Sequence, residues 1–169
     1  ETPAINLVVS AGSSNTALVP NANIMLGGTG ADRTATITPV PNAFGTATIT
    51  VTVSDGTDTV SDSFVLTVTA LNDPPTLSDI LDQSTAEDTM TAAIAFTVGD
   101  AESALGSLTV IGSSSNATMV PSANIVFGGG EANRTVTISP AANQSGTATV
   151  TVTISDGTTT ASDSFVLNV

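Results

Sequence analysis

The chain contains no cysteine, histidine, lysine, tryptophan or tyrosine. Each absence removes a class of chemistry. Without cysteine there is no disulfide and no thiolate metal site. Without histidine there is no imidazole to act as base or ligand near neutral pH. Without lysine there is neither a Schiff-base amine nor a Lys–Asn isopeptide cross-link. Aromatics amount to five phenylalanines, too few to build the aromatic platforms that sugar sites usually use. Apolar residues are plentiful but interleaved with Thr and Ser, so no run approaches the roughly 20 residues of a membrane-spanning helix.

Basic residues are nearly missing as well. Arg33 and Arg134 stand against 15 acids, for a formal charge of −13 over 169 residues. Nucleic acids and anionic membrane surfaces call for basic patches, so neither is an expected partner. Cation binding or plain solubility fits the balance. A Thr-rich, acidic chain of this kind suits an exported bacterial protein.

What the chain does have is a repeat. Residues 1–68 reappear as 102–169 without a gap, so that Glu1 pairs with Glu102 and Val68 with Val169, and more than half of the paired positions are identical. Between the copies lies Ala70-Leu71-Asn72-Asp73-Pro74-Pro75. The two prolines fix φ and lack N–H groups, so neither helix nor central strand can run through them. The expected organisation is a partial repeat over 1–69, a linker over 70–75 and a complete repeat over 76–169.

Period-2 patterning dominates. Thr46-Ala47-Thr48-Ile49-Thr50-Val51-Thr52-Val53 is the clearest strand, with Ala47, Ile49, Val51 and Val53 on one face. Asp55-Gly56 is a hairpin signal, and residues 63–68 return with Phe64, Leu66 and Val68 expected to face inward. After the linker, residues 76–81 and 90–98 read as two further strands, and the pattern of the first copy then replays. That makes seven strands, A to G, in the complete unit, with turn signals between them. The fold class is all-β: tandem seven-stranded Greek-key sandwiches of immunoglobulin-like pattern. The first copy begins in the B–C loop and lacks strands A and B. It belongs to a longer array, or those strands come from another molecule. Alone, residues 1–68 would expose apolar strand edges.

In such a sandwich the loops alternate between poles. Asn72 and Asp73 are expected to converge with Asp100 and Glu102 of the B–C loop, at the pole that also holds the F–G turn with Asp156. Glu87 and Asp88, in the A–B turn, belong at the far pole with Asn143 and Gln144. Two readings of these acids stay open. Three carboxylates, an amide oxygen and backbone carbonyls can supply the six to eight hard oxygens that Ca²⁺ takes. Equally, Asp and Asn cap turns because their side chains bond nearby backbone N–H groups. Arg33 and Arg134 share one repeat position after a glycine-rich loop, and an ion pair or a clamp on carbonyls is expected of them. Gly27-Gly28 and Gly128-Gly129-Gly130 lack the lysine and helix of a phosphate loop and read as turns.

Asn72-Asp73-Pro74-Pro75, Ala86-Glu87-Asp88-Thr89 and Asp100-Ala101-Glu102 resemble the linker, first-turn glutamate and acidic loop motifs of cadherin-like repeats. Ser54-Asp55-Gly56 followed by Ser61-Asp62-Ser63-Phe64-Val65-Leu66, and its second copy, resemble bacterial tandem Ig-like/cadherin-like repeats of large surface proteins and adhesins. The resemblance implies secreted, rod-like arrays with Ca²⁺ at the junctions. It makes Asn72, Asp73, Asp100 and Glu102 the metal-ligand candidates at this junction, and Glu87 and Asp88 candidates at the following one. The acidic motif that cadherins place before the E–F turn is missing here.

The reading is therefore a structural repeat segment of an extracellular or cell-surface protein, an adhesin stalk or filament, rigidified by Ca²⁺. Its partners are neighbouring repeats of the same chain, or further copies joined by strand complementation or lateral packing. The alternative is an adhesive module that binds a ligand or glycan. An enzyme is not expected: only a carboxylate pair could do acid–base work, and nothing separates such a pair from turn chemistry.

Overall fold

The computed structural model describes residues 3–169. The chain divides into two compact units, Glu1–Leu71 and Asn72–Val169.

The first unit holds five strands: β1 (Val8–Ser13), β2 (Ile24–Thr29), β3 (Asp32–Ile37), β4 (Gly45–Ser54) and β5 (Thr59–Val68). They form a three-stranded sheet in the order β1-β4-β5 and a separate β2-β3 hairpin. Alternating Thr and aliphatic residues give β4 two unlike faces. One carries Ala47 and Ile49 into a small core with Leu18, Val19 and Ile24. The other carries hydroxyls, and Thr52 and Ser61 hydrogen-bond across β4 and β5 at 2.8 Å. At Asp55-Gly56 the chain reverses, with Gly56 at φ 97°, a conformation open to glycine because it has no Cβ.

The second unit replays these five as β9 (Thr109–Ser114), β10 (Ile125–Gly130), β11 (Asn133–Ile138), β12 (Thr147–Ser155) and β13 (Thr160–Asn168). It precedes them with β6 (Thr76–Leu77), β7 (Gln83–Ser84) and β8 (Ile94–Gly99). Two four-stranded sheets result, β10-β11-β8-β6 and β7-β13-β12-β9. The chain passes from β9 to β10 in the other sheet and back from β11 to β12, which is the Greek-key crossing. The core lies between the sheets and includes Phe96, Val98, Val136, Ile138, Val150, Val152, Ile154, Phe165 and Leu167. Phe96 and Phe127 meet edge to face, with centroids 6.4 Å apart, the arrangement that aromatic quadrupoles favour.

The all-β reading holds, and three details differ from it. The strand expected over 76–81 is only Thr76–Leu77. Beyond it the backbone leaves the ladder: the Ile80 N–H bonds the Asp163 carboxylate at 2.7 Å. Gln83–Ser84 then joins the opposite sheet, parallel to β13, so the first strand is divided between the two sheets. The strand expected over 90–98 begins at Ile94 instead. Thr91 is occupied otherwise: its buried hydroxyl accepts the Ile138 N–H at 3.0 Å while its own N–H donates to the Ile138 carbonyl. Finally, Phe64 does not face a core. It is 47 % exposed, whereas its counterpart Phe165 is 1 % exposed. In the second unit residues 76–99 add Ile80, Phe96 and Val98 to the core that includes that ring, and the first unit has no equivalent of them among the described residues.

Candidate functional site

The first candidate site forms where the chain enters the second unit. Asp73 donates its backbone N–H to Glu102 Oε2 at 2.9 Å. The Asn72 amide group donates to Asp156 Oδ2 at 2.9 Å and to the Thr159 hydroxyl at 3.3 Å. Pro75 is buried. Residues 72–75, read from their prolines as linker, are thus fastened to the β8–β9 loop and to the β12–β13 turn. Asp100 holds the β8–β9 loop itself: Oδ1 accepts the N–H groups of Glu102 and Ser103. Its second oxygen, Oδ2, is buried and has no hydrogen-bond partner.

Asp156 completes the cluster. Oδ1 accepts the N–H groups of Thr158 and Thr159, and the Thr159 hydroxyl donates to Oδ2. These donors, the Thr159 N–H first and the Asn72 amide next, hold its pKa well below the ordinary carboxylate value of 3.8. Hydrogen bonds to the charged form act in this direction. Asp55, the first unit's counterpart, is lowered more simply, by the N–H groups of Asp58 and Thr57. Sequence reasoning placed Asp156 at this end of the sandwich but read it as a hairpin residue. The Asp-Gly turn at both repeat positions was the available signal, and it marks the turn rather than the bond from Asn72.

The structure thus brings together Asn72, Asp73, Glu102 and Asp156, with Asp100 alongside in the same loop as Glu102. Glu87 and Asp88 lie elsewhere, in the turn before β8. Asp88 Oδ1 accepts the Asn143 N–H at 2.8 Å, which joins that turn to the β11–β12 loop. Among the described residues no three acidic side chains are grouped so as to hold a metal ion. Asp100, Glu102 and Asp156 each have an oxygen already engaged with a backbone N–H group, and Asn72 turns its NH₂ group toward Asp156. The free oxygen of Asp100 is the feature of this cluster that turn capping leaves unexplained.

The two arginines act on carbonyls. Arg134 Nη2 donates to the Leu105 oxygen at 2.7 Å. Arg33 donates to Ala4, Leu7 and Gly30 oxygens. Among the described residues no helix is long and apolar enough to cross a membrane.

Comparison with known proteins adds a family. The model of the family described as bacterial Ig domain matches residues 72–168. No curated protein matches the chain. Among solved structures the chain is similar to domains 4 and 5 of the S-layer protein SbsC, at 16% identity and TM-score 0.44, covering 100% of this chain and 74% of that one. It is similar to titin domains Z1Z2 in complex with telethonin, at 15% identity and TM-score 0.46, covering 96% and 81%. It is also similar to the endo-fucoidan hydrolase MfFcnA4 of glycoside hydrolase family 107, at 15% identity and TM-score 0.39, covering 96% of this chain and 23% of that chain.

Proposed function

The chain belongs to the bacterial Ig domain family, and from that membership we propose that it is a structural segment of an extended extracellular or cell-surface protein. The observation that carries this reading is repetition. One sandwich sequence recurs at a fixed spacing, each copy packs its own core, and each turns a Thr/Ser face outward. Units of this kind supply reach by copy number, with stability a sum of local terms. The test is mechanical: stretch single molecules of the chain. The second unit should unfold in one cooperative event, releasing roughly 3.3–3.6 Å per residue. Gradual extension without a force peak would sink the reading.

Calcium is the finer part of the proposal. The residues that would hold it are Asp100, through its unpartnered Oδ2, with Glu102, Asp73 and Asn72 beside it. Glu87 and Asp88 would serve at a following junction. A bound Ca²⁺ would supply positive charge that offsets carboxylate repulsion and fastens residues 72–75 to the loops they touch. The opposite reading, acids as metal-free turn caps, is favoured by the backbone N–H groups already bonded to Asp100, Glu102 and Asp156. A thermal melt in millimolar Ca²⁺ and in EGTA separates the two. Extracellular calcium modules bind at about 10⁻⁴–10⁻³ M, so occupancy should raise the melting temperature. Asp100→Asn with Glu102→Gln should abolish that rise. Equal melting in the two buffers leaves the metal-free spacer.

A further inference from the structure

Strands β9 and β10 each end one of the two sheets of the second unit. A cavity of about 200 Å³ opens between them, lined by Leu108, Val110, Phe127, Gly128, Gly129 and Arg134. Leu108 is buried, and Val110 and Phe127 pack partly buried against the main core. Gly128 and Gly129 add no side chain, so the walls are apolar. Arg134 alone brings a charge.

The guanidinium of Arg134 is only partly used. Nη2 donates to the Leu105 carbonyl at 2.7 Å. Nε is buried and has no hydrogen-bond partner. Buried donors are nearly always met by protein or by a bound molecule, and an unmade bond costs most when the group is charged. In the first unit the same residue spends this donor: Arg33 Nε bonds the Gly30 carbonyl at 3.0 Å, and its Nη2 bonds the Ala4 and Leu7 carbonyls. The second copy has Glu131 in place of Gly30 and Phe127 in place of Leu26. The Glu131 side chain lies over Gly106, with Oε1 3.0 Å from where a Cβ would stand. Among the described residues no acid reaches Arg134 Nε, although the chain carries 15 of them.

We propose that this cavity binds a small aliphatic monocarboxylate. The carboxylate accepts the Arg134 Nε–H, and the hydrocarbon body lies against Leu108, Val110 and Phe127. Charge selects the class, because the planar guanidinium fork matches a carboxylate and a charge-assisted hydrogen bond is roughly twice as strong as a neutral one. The apolar walls favour an acid with a hydrocarbon tail over an inorganic anion. Size sets the length: a water molecule takes about 30 Å³ in the liquid, so the space suits a ligand of about six non-hydrogen atoms. This goes beyond the spacer reading and does not depend on calcium.

The probe is isobutyrate, titrated into the full chain in EGTA and followed by NMR. Two arginines give two side-chain Nε–H signals. Isobutyrate should shift that of Arg134 saturably, with a Kd on the order of 1 mM, the strength so few atoms supply, and leave that of Arg33 in place. The methyl signals of Leu108 and Val110 should move along the same binding curve. Isobutyramide, equal in shape but uncharged, should bind at least about tenfold more weakly. Arg134→Gln should abolish the methyl shifts. That change also removes the Leu105 bond, so the comparison of acid with amide is made on the unaltered chain. An Arg134 signal that stays still in tens of millimolar isobutyrate overturns the proposal and leaves a bound water as the partner of Nε. Equal affinity for acid and amide overturns it too, as does an equal response to chloride at matched ionic strength or a parallel shift at Arg33.

Discussion

Phe64 and Phe165 stand at the same place in two copies of the hexapeptide Ser-Asp-Ser-Phe-Val-Leu, on strands with the same partner and the same register. One ring is buried and the other is half in water. Ile37 and Leu66 are partly exposed where Ile138 and Leu167 are fully buried. At one end of the sandwich the copies agree: Leu18, Val19, Ile24 and Ala47 are as buried as Met119, Val120, Ile125 and Ala148. The difference therefore lies in how completely the inner faces are covered, and β6, β7 and β8 are the strands that the second unit has in addition. Strand identity is local, since Thr/aliphatic alternation makes β5 and β13 alike. Burial is not local, since whether the inward face meets a partner is decided by residues 76–99, distant in sequence.

The comparison is broken hardest at the paired phenylalanines. Phe165→Ala removes a fully buried ring and should cost about 3–5 kcal/mol in the second unit. Phe64→Ala should cost about 1 kcal/mol or less, as surface changes do. Denaturant unfolding followed by hydrogen exchange, read separately in β12–β13 and β4–β5, checks the pair. Equal costs would mean that the first unit's ring is covered in solution.

A second pair should refuse to differ. Gly28 and Gly129 both sit at positive φ, 83° and 82°, in the β2–β3 and β10–β11 hairpins. A Cβ on either would run into the backbone of Asp32 or Asn133 respectively. Alanine at each combines a left-handed conformation with a backbone clash and should cost about 1–3 kcal/mol in its own unit. A large disparity would show that the hairpins, which share sequence, do not share geometry.

Asp62 and Asp163 should differ again, by less. Asp163 accepts the Ile80 N–H, so Asp163→Ala leaves a part-buried donor unpaired, at about 1–2 kcal/mol. Asp62→Ala in the isolated chain should stay within about 0.5 kcal/mol. Melting curves of the two variants settle it, and a matching loss for Asp62 would reveal a partner that the first unit lacks here.

These pairs also show what could be read before the structure. The β-class, the hairpins and the two poles were legible because alternation, Asp-Gly and proline act within a few residues. So was the grouping of Asn72 and Asp73 with Glu102, since strand order alone places those loops. The exposure of Phe64 was not legible, because the same hexapeptide codes for both outcomes. Nor was the division of the first strand at residues 78–82, which depends on Asp163 and Val166, more than 80 residues away. One small clue was on view. Gly112 packs against Ile125 and Phe127 where a Cβ would lie 2.6 Å from Ile125 Cγ2, and the first copy pairs Ala11 with the smaller Leu26. The two substitutions offset each other, as they would if these residues shared one layer of packing.

The smallest effect separates Asp55 from Asp156. Both carboxylates accept the N–H groups of their own turns, and Asp156 in addition accepts from Asn72. Both have folded pKa values below the ordinary 3.8. A lowered carboxylate pKa means that the folded state favours the charged form. The associated stability is complete above the unfolded value and is lost as the pH falls below it toward the folded value. The second unit should therefore lose stability on acidification below about pH 4, and Asp156→Asn should flatten that part of its pH profile. Asn72→Ala removes one of the two leading donors and leaves the turn's own N–H groups in place. It should bring the Asp156 titration, followed by carboxyl NMR shifts, up toward that of Asp55. If the titration does not move, the Asn72 bond is not maintained in solution, and the fastening of residues 72–75 rests on Glu102 alone.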